Sequence, residues 1–84
     1  MANLQLREKA KSLTPVVTIG KQGFTDRQAE EIKKVLSVRK LIKVKLLPSF
    51  LKGNEKKTVA RQIADAAHAD LIDQVGHIVV LYKR

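Results

Sequence analysis

Residues 13–25, LTPVVTIGKQGFT, are the stretch that decides the fold. An apolar, β-branched run over residues 15–19 is typical of a buried strand. Two glycines frame the tight loop that follows, residues 20–23. Thr25 and Gln28 then have the spacing of a capping box, which indicates the first turn of a helix. The stretch therefore predicts a strand, a tight loop and a helix N-terminus in immediate succession.

Outward from this stretch, hydrophobic spacing predicts two further helices besides the one that Thr25 opens. Asn3 can cap a short helix that runs to about Ser12. Asn54 can cap another helix, which runs to about Ala67. The helix after the loop has an apolar face with 3.6-residue spacing, made by Ala29, Ile32, Val35 and Leu36. These helices are amphipathic, so each needs an apolar surface to pack against.

Three more strands are predicted in the second half of the chain. Residues 41–47 alternate in polarity, which is typical of a half-exposed strand, with Lys43 and Lys45 on the side opposite the apolar residues. Residues 71–75 and 78–82 are rich in β-formers, and the Gly76-His77 pair between them favours a type II′ hairpin turn. The loop after residue 47 contains two apolar residues that are expected to pack against the core, Phe50 and Leu51.

The predicted order of elements is α-β-α-β-α-β-β, which indicates a single compact α/β (α+β) domain over residues 1–84. Strands that alternate with helices imply at least one parallel crossover, and the final hairpin makes the four-stranded sheet mixed. The near-continuous apolar strands, 15–19 and 78–82, are expected at the centre of the sheet. The lysine-bearing strand 41–47 is expected nearer an edge or on an uncovered face.

Composition excludes several classes of protein. The 84 residues contain no cysteine, which rules out disulfides and thiolate metal sites. Apolar runs of about five residues are far shorter than the roughly 20 that a membrane-spanning helix needs, and no secretory leader opens the chain. We therefore expect a soluble, cytoplasmic protein without a membrane partner. A net charge of +9 indicates a polyanionic partner.

The positive charge is concentrated in one part of the sequence. Residues 39–57 hold seven Lys or Arg side chains, and Glu55 is their only acid. This clustering predicts a basic region of the surface, with lysines that merely solvate exposed faces as the alternative. Whether Lys52, Lys57 and Arg61 belong to a binding face is left open by the sequence.

The loop over residues 20–23 is the candidate for chemistry. Its N–H groups and the N-terminus of the next helix can converge on one anion, and Lys21 adds a mobile positive charge. Neither the nucleotide P-loop pattern nor the dinucleotide glycine pattern is present, so no nucleotide cofactor or small-molecule substrate is expected. A G-x-x-G clamp on a nucleic-acid backbone is the device of KH domains, but there it joins two helices. Here a strand precedes it, which favours a different fold with the same device.

Other kinds of site lack support in the sequence. No His, Cys or carboxylate cluster has metal-ligand spacing, so no metal is expected. No serine lies in a nucleophile motif and no catalytic carboxylate pair is evident, which argues against an enzyme. Three aromatic residues cannot line a base-stacking platform. Recognition is then expected through phosphate and shape, with Phe24 and Tyr82 interpreted as core residues.

The opening stretch, together with LIKVK at residues 41–45 and VLY at residues 80–82, resembles the CRM domain (chloroplast RNA splicing and ribosome maturation). The similarity is greatest to the stand-alone YhbY-like proteins. It implies an RNA-binding domain of α-β-α-β-α-β-β topology, similar to the C-terminal domain of translation initiation factor three. It also implies that the G-x-x-G loop contacts RNA and that the partner is a precursor of the large ribosomal subunit. His68 stands where family members commonly have a glycine after the third helix.

Together these observations predict a non-enzymatic, monomeric protein that binds structured RNA, ribosomal RNA or its precursor, without a cofactor. The alternative is a general basic interaction protein that binds DNA or anionic surfaces without preference for RNA. The residues expected to contact RNA are the loop, its exit, the first turn of the next helix and the strand lysines: Gly20, Lys21, Gln22, Gly23, Phe24, Thr25, Arg27, Lys43 and Lys45.

Overall fold

A computed structural model describes residues 4–51, 53 and 55–83. Within these residues the elements follow the predicted order, with one additional helical turn. They are α1 (Leu4–Lys11), β1 (Val17–Ile19), α2 (Asp26–Arg39), β2 (Leu41–Leu46), α3 (Pro48–Leu51), α4 (Lys56–Ala66), β3 (Asp70–Val75) and β4 (Ile78–Tyr82). The additional turn is α3, where the N–H groups of Phe50 and Leu51 both donate to the carbonyl of Leu47.

The strands form a mixed sheet in the order β1-β2-β4-β3. β1 runs parallel to β2, with Val17 opposite Val44 and Ile19 opposite Leu46. The other neighbouring pairs are antiparallel, and the β3–β4 hairpin carries a register shift between Leu71 and Asp73. The predicted mixed, four-stranded sheet is therefore confirmed.

The expected central position of the strand over residues 15–19 is wrong, because it is an edge strand of three residues. The lysine-bearing strand β2 lies between β1 and β4 and not near an edge. The other position expected for it is met at Lys45, which is exposed on the side of the sheet opposite the main core. Val17 and Ile19 are buried because their face of the sheet is covered, although only one side of β1 is paired. The apolar run over residues 15–19 therefore indicates that the strand is buried, but it does not indicate where in the sheet the strand lies. The central position of residues 78–82 is confirmed.

The two faces of the sheet are covered unequally. The main core lies on the face covered by α2 and α4, and its largest fully buried side chains include Ile19, Ile32, Leu36, Leu46 and Ile63. Phe50 and Leu51 pack against this core, as expected. The opposite face, here called the second face, carries a smaller cluster of Ala10 from α1 with Ile72 and Val80. No polar or charged residue among those described is buried.

The helix ends agree with the predicted chemistry in part. Asn3 and Asn54 lie outside the described residues, and Glu55 is the N-cap of α4. At the other end of α4, His68 has a φ of +54°, the left-handed conformation expected of a residue in the place of a glycine. Its N–H donates to Asp65 O (3.2 Å) and the Ala69 N–H donates to Ala64 O (2.9 Å). These two bonds form a Schellman motif, which satisfies carbonyls at the helix end.

Candidate nucleic-acid interface

The loop between β1 and α2 is a tight turn that a glycine opens and a glycine closes. The Gly23 N–H donates to Gly20 O at 2.9 Å, which closes the turn over Lys21 and Gln22. Gly23 has a φ of +82°, a conformation that side chains disfavour. A Cβ atom on Gly20 would lie 3.0 Å from Leu47 Cδ1, tighter than ordinary van der Waals contact. Gly23 thus avoids the backbone strain that a side chain would bring, and Gly20 avoids a close contact with the Leu47 side chain.

The N-terminus of α2 follows the loop directly. Thr25 is the N-cap, and its Oγ1 accepts a hydrogen bond from the Gln28 N–H at 3.3 Å. The first-turn N–H groups of a helix have no intrahelical partner and carry the positive end of the helix dipole. The loop therefore lies next to a helix N-terminus, where an anion is favoured.

Gln28 fixes the helix to the strand rather than completing the predicted capping box. Its Nε2 donates to the carbonyl of Thr18 at 3.2 Å, so its side chain does not reach back to Thr25. Of the two hydrogen bonds of a capping box, only the one accepted by the Thr25 side chain is formed. Within the described part of the chain, Gln28 Oε1 is buried without a hydrogen-bond partner. The amide ties the start of α2 to β1, which holds the ends of the loop together.

A groove of about 400 Å³, here called the loop groove, opens beside this turn. Six of the nine sequence-predicted site residues line it: Gly20, Lys21, Gln22, Gly23, Thr25 and Arg27. Lys21 and Arg27 are exposed, and neither forms an ion pair with another described residue. Two cations without an ion-pair partner among the described residues thus lie beside a helix N-terminus and a glycine loop, which is an arrangement suited to phosphate.

Two lining residues of the loop groove were not predicted from the sequence, Gln28 and Glu31. Glu31 lies one helical turn after Arg27, and this i, i+4 spacing was the available signal. Its carboxylate places one negative charge among the cations of the groove. The groove is therefore less positive than Lys21 and Arg27 alone would make it.

The remaining predicted site residues lie elsewhere. Phe24 is half-buried and packs against the main core, in agreement with its interpretation as a core residue. Lys43 and Lys45 point to the second face of the sheet, because the alternate residues of β2 are buried in the main core. Lys45 is opposite Thr18 in the sheet, so it is the strand lysine closer to the loop.

The basic segment of the sequence is also divided in space. Lys43 and Lys45 occupy the second face, Arg39 and Lys40 lie where α2 ends and β2 begins, and Lys57 is exposed on α4. Arg61 is exposed on α4 as well, and Lys52 lies outside the described residues. The predicted single basic region is thus several separate positive surfaces.

Other kinds of site find no support in the structure. Among the described residues, no group of three His, Cys, Asp or Glu side chains could hold a metal ion. In the same part of the chain, no helix has the length and hydrophobicity to cross a bilayer.

Comparison with known proteins places the chain in a family. Residues 2–83 match the CRS1 / YhbY (CRM) domain. The chain is 37% identical over 78 residues to a protein of Methanocaldococcus jannaschii named probable RNA-binding protein, covering 93% of this chain and 58% of that one. It is 36% identical to the probable RNA-binding protein YqeI of Bacillus subtilis, again over 93% of this chain, and covers 79% of that relative. A Haemophilus influenzae relative named RNA-binding protein is 33% identical, with 93% of this chain and 77% of the relative covered.

A solved structure supports the same assignment at the level of the fold. The solution structure of a Staphylococcus aureus protein superposes with a TM-score of 0.79 at 27% identity. The match covers 100% of this chain and 90% of the other. The fold implied by the family resemblance, one domain with helices and a four-stranded mixed sheet, is therefore confirmed. The chain belongs to the CRS1 / YhbY (CRM) domain family.

Proposed function

We propose that this protein binds structured RNA, ribosomal RNA or its precursor, through the loop groove, as a monomer and without catalysing a reaction. The observation that carries the proposal is the meeting of Lys21, Arg27, two glycines and a helix N-terminus in one groove. Three relatives that bear the name RNA-binding protein or probable RNA-binding protein support RNA as the ligand.

Binding follows from the chemistry of the groove. A phosphate oxygen accepts hydrogen bonds from the N–H groups of the loop and the first turn of α2, because the glycines allow close backbone approach. Lys21 and Arg27 neutralise the phosphate charge, and Arg27 can donate two parallel hydrogen bonds. The groove holds Glu31 but no aromatic side chain, so it offers no platform for base stacking. Affinity should therefore depend strongly on salt and weakly on base sequence.

The proposal is tested by two substitutions in the loop with a matched control. Lys21→Ala should weaken RNA binding and reduce the slope of log K against log salt by about one phosphate contact. Lys9→Ala removes another exposed lysine, on α1 and outside the loop groove, and should leave the slope unchanged. Gly23→Asp places a negative charge in the groove, and it should nearly abolish binding.

Gly23→Asp also needs a test of folding. A Cβ at Gly23 would lie 3.8 Å from the Phe50 ring, an ordinary contact, so the domain should keep its circular dichroism spectrum despite the strained φ. If folded Lys21→Ala and Gly23→Asp variants both bind RNA as the wild type does, the loop groove is not the RNA site.

Preference for RNA separates this function from the alternative of general polyanion binding. Folded RNA, duplex DNA and anionic vesicles should be compared at physiological salt, and the RNA repeated without its 2′-hydroxyl groups. The proposal requires RNA to bind best and to lose affinity without those groups. Crosslinking in cells, with sequencing of the attached RNA, should recover ribosomal RNA; recovery of only messenger or transfer RNA would contradict the ribosomal assignment.

A further inference from the structure

A second groove, of about 480 Å³, lies on the second face of the sheet beside α1 and is here called the sheet groove. Its floor is apolar and comes from β3 and β4, with Val75, Ile78 and Val80. Leu4 forms part of its wall and is 70% exposed, and Val75 is 63% exposed. Apolar side chains left in solvent next to a groove indicate a surface that a partner covers.

The charges of the sheet groove leave one cation uncompensated. Arg7 Nη2 lies 3.1 Å from Asp73 Oδ1, and Lys11 Nζ lies 3.1 Å from Glu8 Oε1. Both acidic residues that line the groove, Asp73 and Glu8, are therefore in ion pairs. Lys43 also lines the groove and forms no ion pair with any residue that the structure describes. The groove is thus an apolar surface with one free positive charge, which fits an anionic ligand that has apolar parts.

The register of the sheet places a second lysine, Lys45, between the sheet groove and the loop that lines the loop groove. Lys45 lies two residues beyond Lys43 on the same face, next to Thr18 of β1, and Thr18 is two residues before Gly20. Ile19, the last residue of β1 before the loop, is opposite Leu46. Leu46 is three residues from Lys43, which corresponds to about 10 Å along the strand. Of the two lysines, Lys45 therefore lies nearer the loop, and Lys43 lines the sheet groove.

We propose that the sheet groove holds an unpaired, single-stranded segment of the same RNA whose backbone is bound at the loop groove. The inference rests on the proposed function. Bases and riboses of the segment contact Val75, Ile78 and Leu4, and its phosphates contact Lys45 and Lys43. Duplex RNA stacks its bases inside the helix and presents phosphates and hydroxyls, so it has no apolar surface to offer this groove. Only unpaired nucleotides combine free base faces with a negative backbone.

The test compares a blunt RNA hairpin with the same hairpin carrying a single-stranded extension of five nucleotides, placed at the 3′ end or at the 5′ end. Fluorescence anisotropy at physiological salt should show that one of the extensions tightens binding by about tenfold. Val75→Glu should remove this gain, because it puts a carboxylate in the apolar floor. Val38→Glu is the matched control, since Val38 is 82% exposed on α2 and the change in charge is the same.

The outcomes separate this inference from the proposed function. If the blunt hairpin binds in a Lys21-dependent manner but neither extension adds affinity, the inference is wrong and the proposed function stands. Equal loss of the gain in Val75→Glu and Val38→Glu would also overturn it, because the effect would then be long-range charge. Displacement of the extension by a labelled acidic, leucine-rich peptide at lower concentration than RNA would assign the groove to a protein partner instead. Failure of every hairpin to bind removes both proposals.

Discussion

His68→Gly should stabilise the protein, because His68 is held in a conformation that favours glycine. Its φ is +54° and its side chain is exposed, so the substitution relieves backbone strain and removes no packing. The two Schellman hydrogen bonds use backbone atoms alone and remain in the variant. The imidazole at this position contributes no hydrogen bond or ion pair within the described residues.

The magnitude follows from two opposing effects. A left-handed residue with a Cβ costs about 1–2 kcal/mol, which glycine avoids. Glycine in turn gives the unfolded chain additional freedom worth about 0.4–1 kcal/mol. The net expectation is a gain of about 0.5–1 kcal/mol in the free energy of unfolding, which raises Tm by about 2–8 °C in a domain of this size.

Urea unfolding followed by circular dichroism measures this gain. The midpoint should rise with an unchanged m-value, which shows that the folded and unfolded states keep their compactness. His77→Gly is the matched control, because His77 is also exposed but does not have a positive φ. That variant should lose about 0.4–1 kcal/mol through the unfolded chain. The reasoning is refuted if both histidine variants are destabilised by similar amounts.

Three further substitutions test the groove, the helix cap and the core. Glu31→Gln removes the acid that lines the loop groove and should tighten RNA binding by roughly two- to fivefold at low salt, with the gain shrinking as salt is added; an unchanged affinity would show that bound RNA does not approach Glu31. Thr25→Ala removes the cap bond to the Gln28 N–H and should lower the free energy of unfolding by about 1 kcal/mol in urea titrations. Thr14 is also exposed but is not an N-cap of a described helix, so Thr14→Ala should change this free energy by less than about 0.5 kcal/mol. Ile32→Ala removes most of a fully buried side chain and should lower the free energy of unfolding by about 2–5 kcal/mol. A decrease of less than about 1 kcal/mol would contradict the packing of α2 on the sheet.

Local chemistry explains which parts of the fold were predictable. The glycines, Thr25 and the alternation of β2 act over a few residues, and the structure places all of them in the predicted elements. Pro48 predicts a loop when it is considered as a turn residue, but it is the first residue of α3, a helix position that proline favours. Lys40 had no such signal. Its φ of +69° arises because α2 turns into β2 within one residue, with the Lys40 N–H bonded to Leu36 O and its carbonyl to the Lys83 N–H.

Part of the candidate site could likewise be predicted from local sequence, and part of it depends on the whole fold. Residues 20–23, Thr25 and Arg27 are near each other in sequence, so turn and helix geometry suffices to bring them into one groove. Alternation predicted that Lys43 and Lys45 share a face. Which face that is relative to the loop depends on how α1, α2 and α4 distribute over the sheet, and this is a property of the whole fold.

The central position of β2 changes how the positive charge of the chain acts. On an edge strand, Lys43 and Lys45 would guard a free hydrogen-bonding edge, which is a common use of lysine. Between β1 and β4 there is no such edge, so these lysines instead give charge to the middle of a sheet face. That face is covered by α1 only in part, and its exposed residues include Thr18, Lys45 and Val75. Part of the positive charge therefore lies in the loop groove, where phosphate binding is proposed, and part lies on a sheet face with apolar residues. Together these two parts suit a ligand that has both a charged backbone and free bases.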